Sequence, residues 1–107
     1  MRSDCTAWIF GYKTEKHRTS FAARDGSRIE VLGGQSNQYT QLRSEGFSAE
    51  PAFLVENSAA VIFSCTNGPS RDDAFGYKTL LTVRLGDRTT VYDRDHAPRR
   101  PGRDGQF

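Results

Sequence analysis

Apolar and polar residues alternate with a period of two along several short stretches of the chain. In residues 5–13, Trp8, Phe10 and Tyr12 occupy every second position, the spacing that places side chains on one face of a strand. Residues 17–24 continue in extended style. Asp25-Gly26 follows, a pair that tolerates the positive φ angles of a tight hairpin turn. Residues 27–32 are the expected return strand, with Ile29 and Val31 facing one way, and Gly33-Gly34 ends it.

The most apolar part of the chain is residues 52–56 and 59–65. Two readings compete there: a hairpin turning at Asn57-Ser58, or one buried helix starting after Ser48. The β-branched and aromatic residues Val55, Val61, Ile62 and Phe63 favour the hairpin. Residues 77–85 alternate cleanly, with Leu81, Val83 and Leu85 expected inward and Thr82 and Arg84 outward. Gly86-Asp87 is a turn, and residues 88–92 are the partner strand. Residues 35–50 are polar, and Tyr39, Leu42 and Arg43 would share one helical face if residues 38–45 formed a short helix.

The pattern therefore predicts a mainly β domain, a small antiparallel sandwich or barrel with room for one short helix. The alternative is an α+β arrangement with a helix on one sheet face, which gains if residues 49–62 are helical. One internal echo stands out: Phe10-Gly-Tyr-Lys-Thr14 recurs as Phe75-Gly-Tyr-Lys-Thr79. It reads as a duplicated binding strand or as chance, and a repeat array would need more copies.

Composition adds a boundary. The 107 residues suit one domain with one modest core, and a hydrophobic fraction of 36% is offset by seven Phe, four Tyr and one Trp. The formal net charge is +2, and it sits entirely at one end. Residues 94–107 hold Arg94, Arg99, Arg100 and Arg103 against Asp95 and Asp104, so residues 1–93 balance at zero. Pro98, Pro101, Gly102 and Gly105 punctuate the same segment. The chain thus divides into a neutral β-rich body, 1–93, and a basic tail, 94–107. A neutral body argues against a broad electrostatic face for nucleic acid.

No stretch approaches the roughly 20 apolar residues of a membrane span, and the first residues lack a signal-peptide pattern. A cytoplasmic location without membrane association is the expectation. Cys5 and Cys65 read as small buried apolar side chains, with a disulfide open only if their strands are neighbours.

Candidate chemistry is sparse. Phosphate loops, nucleophile elbows, paired zinc cysteines and calcium loops are absent, so no cofactor and no metal is expected. The run Asp93-Arg94-Asp95-His96 has carboxylates beside a histidine, but prolines and arginines follow instead of further ligands. A metal-independent ribonuclease needs a base, an acid and a cation near the phosphate; His17, Glu30 and Arg28 supply those residue types. The Trp8, Phe10, Tyr12 stripe has the spacing of a stacking platform, although such a stripe in a short domain more often serves the core.

The leading expectation is a non-enzymatic binding or inhibitory module that contacts a protein or a protein–nucleic-acid assembly. Tyr39, Arg43 and Arg71 in polar loops would make the contact. Arg94, Arg99, Arg100 and Arg103 would add phosphate contacts from the tail. The small ribonuclease-like enzyme is the alternative.

Overall fold

The computed structural model describes residues 5–15, 18–37, 47–67 and 76–93. These form ten strands and no helix: β1 (Thr6–Ile9), β2 (Lys13–Glu15), β3 (Phe21–Arg24), β4 (Arg28–Asn37), β5 (Phe47–Ser48), β6 (Phe53–Glu56), β7 (Ala59–Asn67), β8 (Gly76–Tyr77), β9 (Thr79–Leu85) and β10 (Arg88–Asp93). The mainly β expectation holds. The expected helix at 38–45 lies outside the described residues.

The antiparallel expectation does not hold. Strand β4 pairs in parallel with β1, β2 and β7; β6 pairs in parallel with β3 and β9; β5 pairs in parallel with β8. Among the described strands only β9 and β10 run antiparallel. Parallel neighbours cannot be joined by a two-residue turn. The chain instead winds in coils. Each circuit passes through the β1/β2, β4 and β7 sheet and then the β3, β6 and β9 sheet, the second and third adding a short sheet of β5 and β8 between them, and the circuits pair in register. Three such coils make a parallel β-helix, sandwich-like because its two larger sheets face each other across the core, and not a closed barrel.

Two of the three expected hairpins are corners between these sheets. Asp25 and Asn57 hold φ angles of 56° and 45° at equivalent places in successive coils. Both residue types accept this left-handed region because their short polar side chains bond locally. Ladder hydrogen bonds run through the corner: Asp25 N donates to Glu56 O, Gly26 N to Asn57 O, and Asn57 N to Arg84 O. At the third corner the chain folds back as β10 on β9, so the hairpin at Gly86-Asp87 is present as expected. The hairpin reading of residues 52–65 was right about strand and wrong about partner, since β6 and β7 lie in different sheets.

Registers show which side chains stack. Phe21, Phe53 and Leu81 share one level of the inner face, and Ala23, Val55 and Val83 share another. Opposite them, Ile9 and Val31 are register partners, and Ala23, Ile29 and Val31 form one buried cluster. The Phe21 and Phe53 rings stack at 6.2 Å, and Tyr12 meets both edge-on. Expected inward Leu85 is half-exposed at the corner, while expected outward Thr82 is buried beside Leu54 on the outer face of its sheet. That face is partly covered because Ala49, Glu50 and Pro51 wall a cleft over Ala22 and Leu54.

Tyr12 explains the fate of Gly33-Gly34, which does not end the strand. The pair sits in a bulge of β4 opposite β7, and the strand continues to Asn37. A Cβ on Gly34 would lie 2.1 Å from the Tyr12 ring, so only glycine lets the ring cross this strand. The Tyr12 hydroxyl then hydrogen-bonds Ser36 Oγ at 2.8 Å and Ser64 Oγ at 2.6 Å, and Ser20 Oγ bonds Ser36 at 2.8 Å. These part-buried hydroxyls satisfy one another around the buried Ser36.

The remaining expectations fare unevenly. The echo at Phe10–Thr14 and Phe75–Thr79 is not a coil repeat: Lys13 and Thr14 lie in the first large sheet, opposite Gln35 and Ser36, whereas Tyr77 lies in the short sheet opposite Ser48. Cys5 is exposed, contrary to expectation. It precedes β1, while Cys65 pairs with Gln35 near the far end of β7, two strands away. The separation is roughly 20 Å or more, far beyond disulfide reach.

A charge ladder marks the corner: Arg24, Glu56 and Arg84 stand in register on successive coils. Arg24 Nε donates to Glu56 Oε1 at 2.8 Å, and Arg84 Nη1 to Oε2 at 3.4 Å. The Arg24 hydrogen bond is the main cause that holds the Glu56 carboxyl below its ordinary 4.5; burial opposes it and Arg84 adds to it. A lowered carboxyl stabilises the fold above its unfolded value, and the contribution is lost as pH falls through the folded value. The pair is largely exposed, so the contribution is a fraction of a kcal/mol. On acidification through 4.5, the wild type should lose slightly more thermal stability than Glu56→Gln. Parallel acid melts check this, and identical pH profiles would show that the ladder contributes nothing.

Candidate functional site

The expected site residues fall in different places. Arg28 and Glu30 come together on β4, with Arg28 Nη2 donating to Glu30 Oε1 at 3.1 Å. They project from the outer face of the first large sheet. That is open surface, and neither residue lines the cleft at the end of the core or the cleft over Ala22 and Leu54. His17 lies outside the described residues, as do Tyr39, Arg43, Arg71, Arg94, Arg99, Arg100 and Arg103 and the Asp95-His96 pair. Among the described residues, no group of three or more His, Cys, Asp or Glu is placed to hold a metal ion, and no helix is long and apolar enough to cross a membrane.

What the structure gathers around Arg28 and Glu30 is aromatic and aliphatic. The registers put Trp8, Glu30 and Val61 on one level and Leu32 and Phe63 on another. Phe10 follows β1 directly, beside the Leu32 level. The inward partners on the same strands are Ile9, Ile29, Val31, Ala60 and Ile62. The outward set is exposed to an unusual degree: Trp8 60%, Phe10 76%, Leu32 42%, Val61 50% and Phe63 75%. One sheet face therefore presents a contiguous apolar surface of three aromatic rings with an ion pair set into it. Monomeric domains rarely leave such a surface bare unless it has a use.

Local backbone chemistry builds this face. Gly11 adopts a φ of 81° between Phe10 and Tyr12, which interrupts the strand and reverses the alternation. Trp8 and Phe10 consequently point outward while Tyr12 enters the core, so the three-residue stripe is split. Two of its members are surface, and the third is interior. Leu32, Val61 and Phe63 were missed by sequence reasoning. In β7 the outward set, Ala59, Val61 and Phe63, alternates with the inward Ala60, Ile62 and Ser64, but both sets are mostly apolar, so alternation carried little signal.

Two concavities lie elsewhere among the described residues. A cleft of about 280 Å³ opens at the third coil and is lined by Val55, Ser58, Ala60, Ile62, Leu81, Val83 and Leu85. It is the end of the core and holds no titratable side chain. The cleft over Ala22 and Leu54, about 460 Å³, brings Arg24 and Arg84 near Glu50. Both arginines already bond Glu56, and Glu50 Oε2 accepts from Thr19 N at 3.0 Å. Burial pushes the Tyr77 phenol above its ordinary 10.0, and its hydroxyl donates to the Arg18 carbonyl, which is structural use. The outer face of the first sheet remains the strongest candidate.

No protein-family model, curated protein or solved structure matches the chain.

Proposed function

We propose that this chain is a non-enzymatic binding module that works by surface contact through the outer face of β1, β4 and β7. The observation that carries the reading is the shared exposure of Trp8, Phe10, Leu32, Val61 and Phe63 on one sheet face. Exposed aromatic side chains keep apolar area in water at a cost, and that cost is recovered when a partner covers them. Trp is also the residue type most enriched among side chains that dominate binding energy. The ion-paired Arg28 and Glu30 supply polar contacts inside the face. The ribonuclease-like alternative loses support, because its described members Arg28 and Glu30 neutralise each other on open surface.

The test is binding of the full chain to immobilised panels of oligosaccharides, oligonucleotides and peptides. The same panels are run with Trp8→Ala/Phe63→Ala and with Arg24→Ala/Arg84→Ala on the opposite sheet. Whatever panel retains the wild type should lose the first variant and keep the second. Retention of both variants alike, or of neither the variants nor the wild type on any panel, would remove the reading.

A further inference from the structure

We infer that the partner is a protein that lends one extended segment, taken up as an added strand along the free edge of β7. The inference rests on the binding-module reading above and adds the chemical class of the partner. After β9 the chain turns back as β10 instead of crossing to the first large sheet. At this end the second sheet is therefore one strand wider than the first, which stops at β7. Among the described residues, no strand pairs with the other edge of β7. Ala59 N donates to Ser27 O at the start of β4. In a parallel ladder alternate residues turn the other way, so the N–H and C=O groups of Ala60 and Ile62 point out from the free edge. A row of such groups is a template for the backbone of another strand.

The step between the two sheets also receives side chains. The cleft of about 280 Å³ lies beside this edge, walled by Ala60 and Ile62 from β7 and by Leu81, Val83 and Leu85 from β9. Tyr92, the register partner of Leu81 on β10, faces the same side and is half-exposed, as is Leu85. Both are inward-facing side chains left against water, and their cover would be favourable. A strand beside β7 presents its side chains at period two. One set enters the cleft, whose lining holds no titratable group and so selects apolar residues. The other set lies on the outer face beside Val61 and Phe63.

Two other occupants fail. Any coil of a second copy brings a strand for each sheet, and β10 already fills this level of the second. Residues 94–107 have no ladder donor at Pro98 or Pro101 and carry no run of alternating apolar residues. A single extended segment of a partner protein, apolar at every second residue, fits the one-strand step.

Amide hydrogen exchange, read residue by residue on the full chain, reports this edge directly. In the free chain the N–H groups of Val61 and Phe63, which face β4, should exchange slowly, and those of Ala60 and Ile62 should exchange fast. A display library of random heptapeptides is selected against the full chain, and the enriched peptides are synthesised. Peptides with apolar residues at alternate positions are expected, and each should slow exchange at Ala60 and Ile62 by about tenfold or more. N-methylation of the peptide amides that face β7 should abolish binding. Leu85→Lys, which sets a charge at the mouth of the cleft, should weaken binding by about tenfold or more. Because Leu85 is half-exposed, this variant should melt close to the wild type, which separates lost binding from lost folding. Slow exchange at Ala60 and Ile62 in the free chain would show the edge already covered and overturn the inference. Peptides that leave Ala60 and Ile62 unprotected but are lost with Trp8→Ala/Phe63→Ala would also overturn it, and the binding-module reading would stand. So would sugars or oligonucleotides retained through Trp8 and Phe63 with no peptide enriched. Protection at Ala60 and Ile62 that is lost with Leu85→Lys yet indifferent to Trp8→Ala/Phe63→Ala would keep the added strand and remove the outer-face reading. No peptide enriched and no retention on any panel would overturn both.

Discussion

Gly34→Ala is expected to cost about 4 kcal/mol or more, enough to lower the melting midpoint by roughly 15 °C in a domain of this size. Two independent costs combine. The added methyl would lie 2.1 Å from Tyr12 Cδ1 and 2.8 Å from the Tyr12 backbone nitrogen, and backbone cannot move aside as a flexible side-chain tip can. In addition, Gly34 holds a φ of 134°, a region that L side chains rarely enter. Displacing Tyr12 would also cost the hydroxyls of Ser36 and Ser64 one hydrogen bond each. The neighbouring Gly33 separates the two costs. Its φ is 89°, but nothing lies within 4 Å of a Cβ built there, so Gly33→Ala carries only the backbone term of about 1–2 kcal/mol. Thermal or urea melts of the two variants side by side check the account. Equal losses would show that the Tyr12 crossing is not what requires glycine at position 34.

The Gly34 case also shows why part of this fold was legible in the sequence and part was not. Strand positions follow from local signals, side-chain alternation in Thr79–Leu85 and β-branched apolar residues in Phe53–Glu56, and both emerge as strands where those signals put them. Pairing depends on where the chain goes next. Arg24-Asp25-Gly26, Glu56-Asn57-Ser58 and Arg84-Leu85-Gly86 each combine a polar or glycine turn with positive φ. The same local geometry serves a hairpin or a corner between sheets. Only the third returns beside its own strand. The coil repeat itself was hidden because successive coils are unequal. Thr6 pairs with Arg28, but Arg28 pairs with Ala59, so no fixed period exists to detect. What repeats is chemistry at the stacked levels, Phe21 over Phe53 and Leu81, and Ala23 over Val55 and Val83.

The candidate face was half-legible for a related reason. Trp8 and Phe10 were visible within an aromatic stripe with Tyr12, and Arg28 and Glu30 as residue types a ribonuclease would use, but nothing local says that β1 and β7 flank β4. Topology assembles those separate signals into one surface. An apolar residue in a strand announces that some face is apolar. It does not announce whether that face meets a core or water, and here Gly11 reverses the answer within three residues.

Phe53 and Phe63 make that distinction measurable. They are the same residue type on consecutive strands of the winding chain, β6 and β7. Phe53 is buried between Phe21 and Leu81 and packs against Tyr12, so Phe53→Ala removes a large volume from a ladder that cannot collapse without breaking register. A loss of about 3–5 kcal/mol is expected. Phe63 pairs with Leu32 on the outer face and is 75% exposed, so Phe63→Ala should change stability by no more than about 0.5 kcal/mol. Urea denaturation of both variants gives the comparison. The contrast matters beyond folding, because a ring that can be removed without loss of stability is not held in place by the needs of the core. If Phe63→Ala proves as costly as Phe53→Ala, the outer face is packed within the chain itself and no binding surface is left there. If it is silent in stability and severe in binding, the aromatic face of β1, β4 and β7 is maintained for its partner.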